Sequence, residues 1–203
     1  MSHHPESCTN HVANHVVLVH GMWDTDKIFS KLRPYLESNG FTVHSLNLIP
    51  ADGSLPLELL ADQLAQFITQ TLGPDTKFDL IGFSMGGIVS RYYLQRLGGL
   101  SRIKHFVTIA SPHRGTIVGW LGNTLGAKQM ATGSAFLRDL NNDIDQLGPI
   151  PFTSIRTPFD LMIVPSTSSE VTTANTYVVP APLHKLMIYD KRVFAKVIEA
   201  IQS

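Results

Sequence analysis

The stretch "LIGFSMGG", residues 80–87, contains Gly82-Phe83-Ser84-Met85-Gly86, a G-x-S-x-G. A pattern this short arises by chance, so its flanks decide its meaning. "FDLIGF" (78–83) is an apolar run that reads as a strand, and "MGGIVSRYYLQRLG" (85–98) reads as a helix. A strand leading in and a helix leading out turn the motif into a sharp bend with the serine at its tip. Gly82 and Gly86 then remove side chains that would collide with the bend, and Gly87 leaves room for the helix to pack on the strand. The helix N-terminus supplies N–H groups and partial positive charge where an oxyanion would form. The competing reading is a glycine-rich turn in which Ser84 only caps the helix.

Outward from this bend, strand and helix signals alternate. "HVVLVHG" (15–21) is a continuous apolar run closed by glycine, as strands buried on both faces are. A helix is expected over 28–40, a strand over 41–48 and a long amphipathic helix over 55–73. The last has Leu57, Leu60, Ala61, Leu64, Phe67, Ile68 and Leu72 on one face and Gly73-Pro74 as its stop. Further strands are expected over 103–110 and 175–179, with a closing helix over 190–202. "DLMIV" (160–164) reads as a strand by its apolarity. The alternative places the strand over "TSIRT" (153–157) with Asp160 in the loop after it, and this second drawing is preferred because it puts Asp160 at a carboxyl end. The alternation predicts an α/β fold, a mostly parallel sheet with helices on both faces, whose sites form beyond the carboxyl ends of the strands. Residues 1–14 read as a flexible arm, and 15–203 as a single domain with a small cap or lid insertion at about 113–150.

A serine nucleophile needs a base, and the base needs an orienting acid. On a bend of this type the partners follow in the order Ser, Asp/Glu, His. Of the later histidines, His105 lies inside a strand and His113 comes too early to leave an acid before it. His184, in the proline-rich "VVPAPLHKLM", is the candidate base. Asp160 is the preferred acid, with Glu170 and the solvated-looking Asp139, Asp143 and Asp145 as alternatives. His20-Gly21 closes the first clear strand. There the N–H of Met22 would join that of Met85 as the second oxyanion donor, with His20 holding the loop by hydrogen bonds.

Composition narrows the function classes. With 16 Lys+Arg against 16 Asp+Glu, the 203-residue chain has no basic surplus for neutralising phosphates, so nucleic-acid binding is not expected. Cys8 is the single cysteine and can form no internal disulfide. No apolar stretch is long enough to span a bilayer, and "MSHHPESCTNHVANH" lacks the pattern of a signal peptide. A cytoplasmic protein is the expectation, with a mature secreted form as the alternative. His3, His4, His11 and His15 could take up a transition metal adventitiously, but the proposed chemistry requires no metal or cofactor.

"VVLVHG", "IGFSMGG", "VTIASPHRGT", "TSIRTPFDLMIVP" and the late "PLH" together resemble the small bacterial triacylglycerol lipases and esterases of the α/β-hydrolase fold. The resemblance runs from about residue 15 to the C-terminus. It implies a minimal α/β-hydrolase fold and a triad of Ser84, Asp160 and His184. It also implies an oxyanion hole at Met22 and Met85, and a lipid or other apolar ester as substrate with transient contact to lipid surfaces. The chain leaves no room for a large helical lid. Trp120, Leu121, Leu125, Met130 and Phe136 either form an apolar mouth or pack into the core. Two other functions use the same fold: acyl transfer through the same triad, and a non-catalytic ligand-binding module.

Overall fold

The computed structural model describes residues 14–203. Residues 1–13, which make up nearly all of the expected arm and carry Cys8, His3, His4 and His11, lie outside the described residues. Six strands, β1 (Asn14–Val19), β2 (Phe41–Ser45), β3 (Phe78–Phe83), β4 (Ile103–Ile109), β5 (Phe152–Arg156) and β6 (Asn175–Val178), form one sheet in the order β2-β1-β3-β4-β5-β6. Every pairing is parallel. Val16, Val17, Leu18 and Val19 of β1 are all fully buried, which is why this strand reads as an unbroken apolar run.

Helices cover both faces. The helices are α1 (Leu32–Ser38), α2 (Leu57–Leu72), α3 (Met85–Arg96), α4 (Leu125–Gln129), α5 (Ala135–Asn142) and α6 (Lys191–Ile201). On one face α1 and α6 bury Leu32, Leu36, Val193 and Val197 against Val16, Leu18, Ile81 and Val107. On the other, α2, α3 and α5 bury Leu60, Leu64, Ile88, Leu137 and Leu140 against Val17, Val19, Leu80 and Phe106. The α2 stripe is the one its 3.6-residue spacing predicts, and Gly73 ends it at φ 72°.

Several boundaries moved. The single helix expected over 28–40 is two pieces, a 3₁₀ turn at Asp26–Phe29 capped by Thr25, and α1. Pro34 falls in the first turn of α1, where its missing N–H costs no intrahelical bond. The "DLMIV" segment is not a strand. β5 spans 152–156, and residues 161–165 form bends after it, with Asp160 in the loop, so the second drawing holds.

The strand order reverses at β1, whose neighbours are β2 and β3. The chain therefore leaves β1 and β3 toward opposite faces, opening a crevice beyond their carboxyl ends, where open α/β sheets place their ligands.

Two interior groups hold roles that the sequence does not assign. Arg91 of α3 is fully buried, with Nη2 donating to Leu140 O at 2.8 Å and Nε to Gln95 Oε1 at 3.1 Å, which ties α3 to α5. His113 is also fully buried, 2.9 Å from Thr108 Oγ1 and edge-on to Phe152. Burial, reinforced by the positive Arg91, holds the His113 imidazole well below the ordinary histidine value. Below about pH 6.5 the unfolded chain binds a proton at this histidine that the folded chain refuses, so stability falls as pH falls. His113→Gln removes the group. Its urea-unfolding free energy, measured from pH 7.5 to 5.5, is expected to fall less steeply than the wild type's, by up to about 1.4 kcal/mol per pH unit. Parallel profiles would contradict this assignment.

Candidate active site

The bend after β3 is built as the glycines require. A Cβ on Gly86 would run into the carbonyl oxygens of Val19 and His20, and one on Gly82 into the backbone of Gly87. Ser84 adopts φ 53° and ψ −122°, a conformation that costs a non-glycine residue about 1–3 kcal/mol. It is held there by Ser84 N–H donating to Ile109 O at 2.9 Å and by Gly87 N–H donating to Ser84 O at 3.1 Å. Ser84 occupies the N-cap position of α3, but its hydroxyl makes no capping bond. Its Oγ lies 3.0 Å from His184 Nε2 instead.

His184 opens a 3₁₀ helix, His184–Tyr189, and its ring packs on Phe83 with 5.1 Å between centroids. Its Nδ1 lies 2.8 Å from Asp160 Oδ2. The other carboxylate oxygen, Oδ1, accepts from the N–H groups of Met162 at 2.9 Å and Ile163 at 2.8 Å. Asp160 is therefore a buried carboxylate with both oxygens satisfied, which removes the penalty of placing it beside an apolar run. Nδ1 faces an acceptor, so it carries the proton, and Nε2 presents its lone pair to Ser84.

Two threonines that the sequence reading did not single out fix the acid loop. Thr157 Oγ1 donates to Ala181 O at 2.6 Å, joining the start of that loop to the segment before His184. Thr116 Oγ1 donates to Met162 O at 2.8 Å and accepts from Val164 N at 3.0 Å. Both stand in stretches that carry the family resemblance, Thr116 at the end of "VTIASPHRGT" and Thr157 within "TSIRTPFDLMIVP", but nothing in either stretch assigns the threonine a role. Only the register of the two loops brings them together.

The other candidate acids are engaged elsewhere. Glu170 pairs with Arg156 at 2.8 Å, and Asp139 and Asp143 pair with Arg96 at 2.7 and 2.6 Å. Asp145 is exposed. His105 in β4 meets the buried Asp79 of β3 at 2.7 Å, within the sheet.

The turn after β1 passes directly beside Ser84, so that a Cβ on Gly21 would stand 3.0 Å from Ser84 Cβ. His20, fully buried, anchors this turn. Leu48 N–H donates to its Nε2 at 3.0 Å, so Nδ1 bears the proton and donates to Gly21 O at 2.8 Å. Burial lowers its pKa, which keeps the ring in this neutral form. Among the described residues, no protein acceptor takes the Met22 or Met85 N–H. Met85 follows Ser84 directly, and Met22 shares the wall of one cavity with Ser84, where an oxyanion would need donors.

Ser84 and His184 open into a cavity of about 570 Å³, whose walls include Phe83, Val118, Leu121, Met130, Met162 and Ile163. This falls within the size range of small-molecule sites. The apolar residues of the insertion divide between roles. Leu121 and Met130 line the cavity, Phe136 stacks on Tyr92, and Trp120 and Leu125 are exposed.

Residues 14–144 match the family described as the alpha/beta hydrolase fold. A triacylglycerol lipase from Pseudarthrobacter phenanthrenivorans is 34% identical over 110 residues, which is 50% of this chain and 34% of that protein. One from Burkholderia plantarii is 34% identical over 110 residues, 50% of this chain and 30% of that protein. Each match spans about a third of the relative's length. The mature form of the Bacillus licheniformis lipase BlEst2 superposes with a TM-score of 0.77 at 16% identity, covering 95% of this chain and 93% of that one. Aspergillus fumigatus lipase B gives 0.79 at 16% identity, over 94% of this chain and 53% of that one. At such identities the structural likeness is one of fold. With the strand order, the bend at Ser84 and the family match in agreement, this chain belongs to the alpha/beta hydrolase fold family.

Proposed function

We propose that the protein hydrolyses carboxylic esters with apolar, lipid-like acyl chains, through a Ser84–His184–Asp160 triad and an acyl-enzyme. The observation that carries this reading is the continuous hydrogen-bonded chain from Ser84 Oγ through His184 to Asp160 at the end of an apolar cavity. His184 Nε2 takes the Ser84 proton as Oγ attacks the ester carbonyl, and the N–H groups of Met22 and Met85 hold the tetrahedral oxyanion. The imidazolium returns the proton to the leaving alcohol. Water, deprotonated by His184, then attacks the acyl-enzyme, and the carboxylic acid departs with Ser84 restored. Asp160 keeps Nδ1 protonated and stabilises the imidazolium.

The apolar wall supports an acyl chain in preference to a polar group, and the rim supports contact with a lipid surface. Trp23, Leu121 and Leu161 are 68%, 83% and 70% exposed and gather around one mouth, and clustered apolar exposure of this kind marks an interaction surface. Names of relatives point the same way, since two are triacylglycerol lipases. Hydrolysis of p-nitrophenyl esters of increasing acyl length tests the substrate class. Turnover per unit concentration is expected to rise from acetate to longer chains as each added methylene is buried, by about 0.8 kcal/mol or fourfold per methylene at most. A maximum at acetate would mean a small-pocket esterase, and transfer of the acyl group to an added alcohol in place of water would mean an acyltransferase.

A further inference from the structure

We propose that Asp24 and Lys185 form a positioning clamp that holds the oxyanion turn against the loop of the catalytic base. The inference rests on the serine hydrolase reading above and concerns residues which that mechanism does not use. Asp24 closes the turn that carries Met22, with Asp24 N–H donating to Gly21 O at 3.4 Å. Lys185 follows His184 directly. Lys185 Nζ lies 2.5 Å from Asp24 Oδ1, so one ion pair bridges two segments 161 residues apart in sequence. Both residues also line the active-site cavity, and they are the charged pair in an otherwise largely apolar wall.

The two ends of the bridge differ in solvation. The Asp24 side chain is only 9% exposed, whereas that of Lys185 is 60% exposed. A solvent-facing lysine gains little from such a pair by itself. A nearly buried carboxylate loses much more when its partner is removed, because it must either stay unpaired or move toward water. Movement of Asp24 displaces the turn on which the Met22 N–H sits. The turn is otherwise tethered by His20, whose Nε2 accepts from Leu48 N–H at 3.0 Å, by Trp23 N–H donating to Ala51 O at 2.8 Å, and by Asp26 N–H donating to Asn47 Oδ1 at 2.7 Å. All three tethers run toward the segment after β2, and none fixes the turn relative to His184. Apolar packing of Ile28 and Phe29 with Met187 and Ile188 joins the same segments lower down, so the clamp orients the turn while the fold stands without it.

Oxyanion donors act only when aimed at the position the charge will occupy, and misplacement by an ångström costs orders of magnitude in rate. Asp24→Asn and Lys185→Gln are each expected to lower kcat on p-nitrophenyl butyrate about tenfold with little change in KM, since the donor works in the transition state rather than in substrate binding. The double variant is expected to fall no further than either single one, and Lys185→Arg, which keeps the charge, to stay near wild type. Lys185→Gln alters an exposed side chain, so it remains informative if Asp24→Asn folds poorly. Single variants at wild-type kcat, or losses that multiply in the double variant, would overturn the clamp. Reaction with a serine-directed phosphonate separates the two levels of the account. A wild type that is labelled and active, with unchanged variants, removes the clamp alone. A wild type that is neither labelled nor active removes the hydrolase reading and the clamp with it.

Discussion

Replacing Ser84 with alanine is expected to lower ester hydrolysis by at least about four orders of magnitude while leaving the protein folded. Ser84 Oγ is the group that His184 Nε2 faces at 3.0 Å, and without it the imidazole has no nucleophile to deprotonate except water. Alanine accepts the φ of 53° with about the same strain as serine, and the lost hydroxyl makes no cap bond to α3. Stability should therefore change by no more than about 1 kcal/mol. His184→Ala should fall as far, and the double variant no further, because serine and histidine act as one unit. Single-turnover and steady-state assays on one soluble ester, beside a thermal melt, separate lost chemistry from lost fold. Hydrolysis by Ser84→Ala at a rate near wild type would place the nucleophile elsewhere.

Asp160→Asn is expected to cost about 10⁴ in kcat, more than removing a mere spectator charge would. The reason lies in the loop and not only in the lost charge. Oδ1 of Asp160 accepts two backbone N–H groups, from Met162 and Ile163. An asparagine must keep its carbonyl oxygen there to avoid leaving both donors unpaired, which turns its NH₂ toward His184 Nδ1. Nδ1 then has to accept, so the proton moves to Nε2, and Nε2 can no longer receive the Ser84 proton. The amide's orientation is thus set by the loop, and the wrong histidine tautomer follows from it. Asp160→Ala imposes no tautomer and should retain more activity than Asp160→Asn at the same pH. Equal activity for Asp160→Asn and wild type would show that the acid has no part in the reaction.

The parts of this fold that were legible in the sequence are those set by local pattern. Strand β1 could be read because burial on both faces demands an unbroken apolar run, and α2 because burial on one face demands a 3.6-residue stripe. The bend at Ser84 was legible because only glycine fits at Gly82 and Gly86, where backbone crosses backbone. Residues 160–164 were harder. Leu161 and Met162 are as apolar as strand residues, but they are 70% and 41% exposed because they face the cavity mouth and not the core. Hydrophobicity reports a need for apolar surroundings without saying whether a core or a ligand provides them. The buried Arg91 and His113 were illegible for a different reason. His113 reaches back only five residues to Thr108 Oγ1, but no periodic pattern marks a loop histidine that folds into the core. The partner of Arg91, Leu140 O, comes from a separate element 49 residues on, and no spacing along the chain encodes such an encounter. The Asp24–Lys185 pair belongs to the same class, since it joins loops that meet only after the sheet has formed.

The most direct test of the central claim is the mass of the intact protein and of its peptides after incubation with a serine-directed p-nitrophenyl phosphonate. The account predicts one adduct per chain, located on Ser84, formed with release of p-nitrophenol and abolished in His184→Ala. No adduct, or an adduct on another serine at the same rate in His184→Ala, would contradict it.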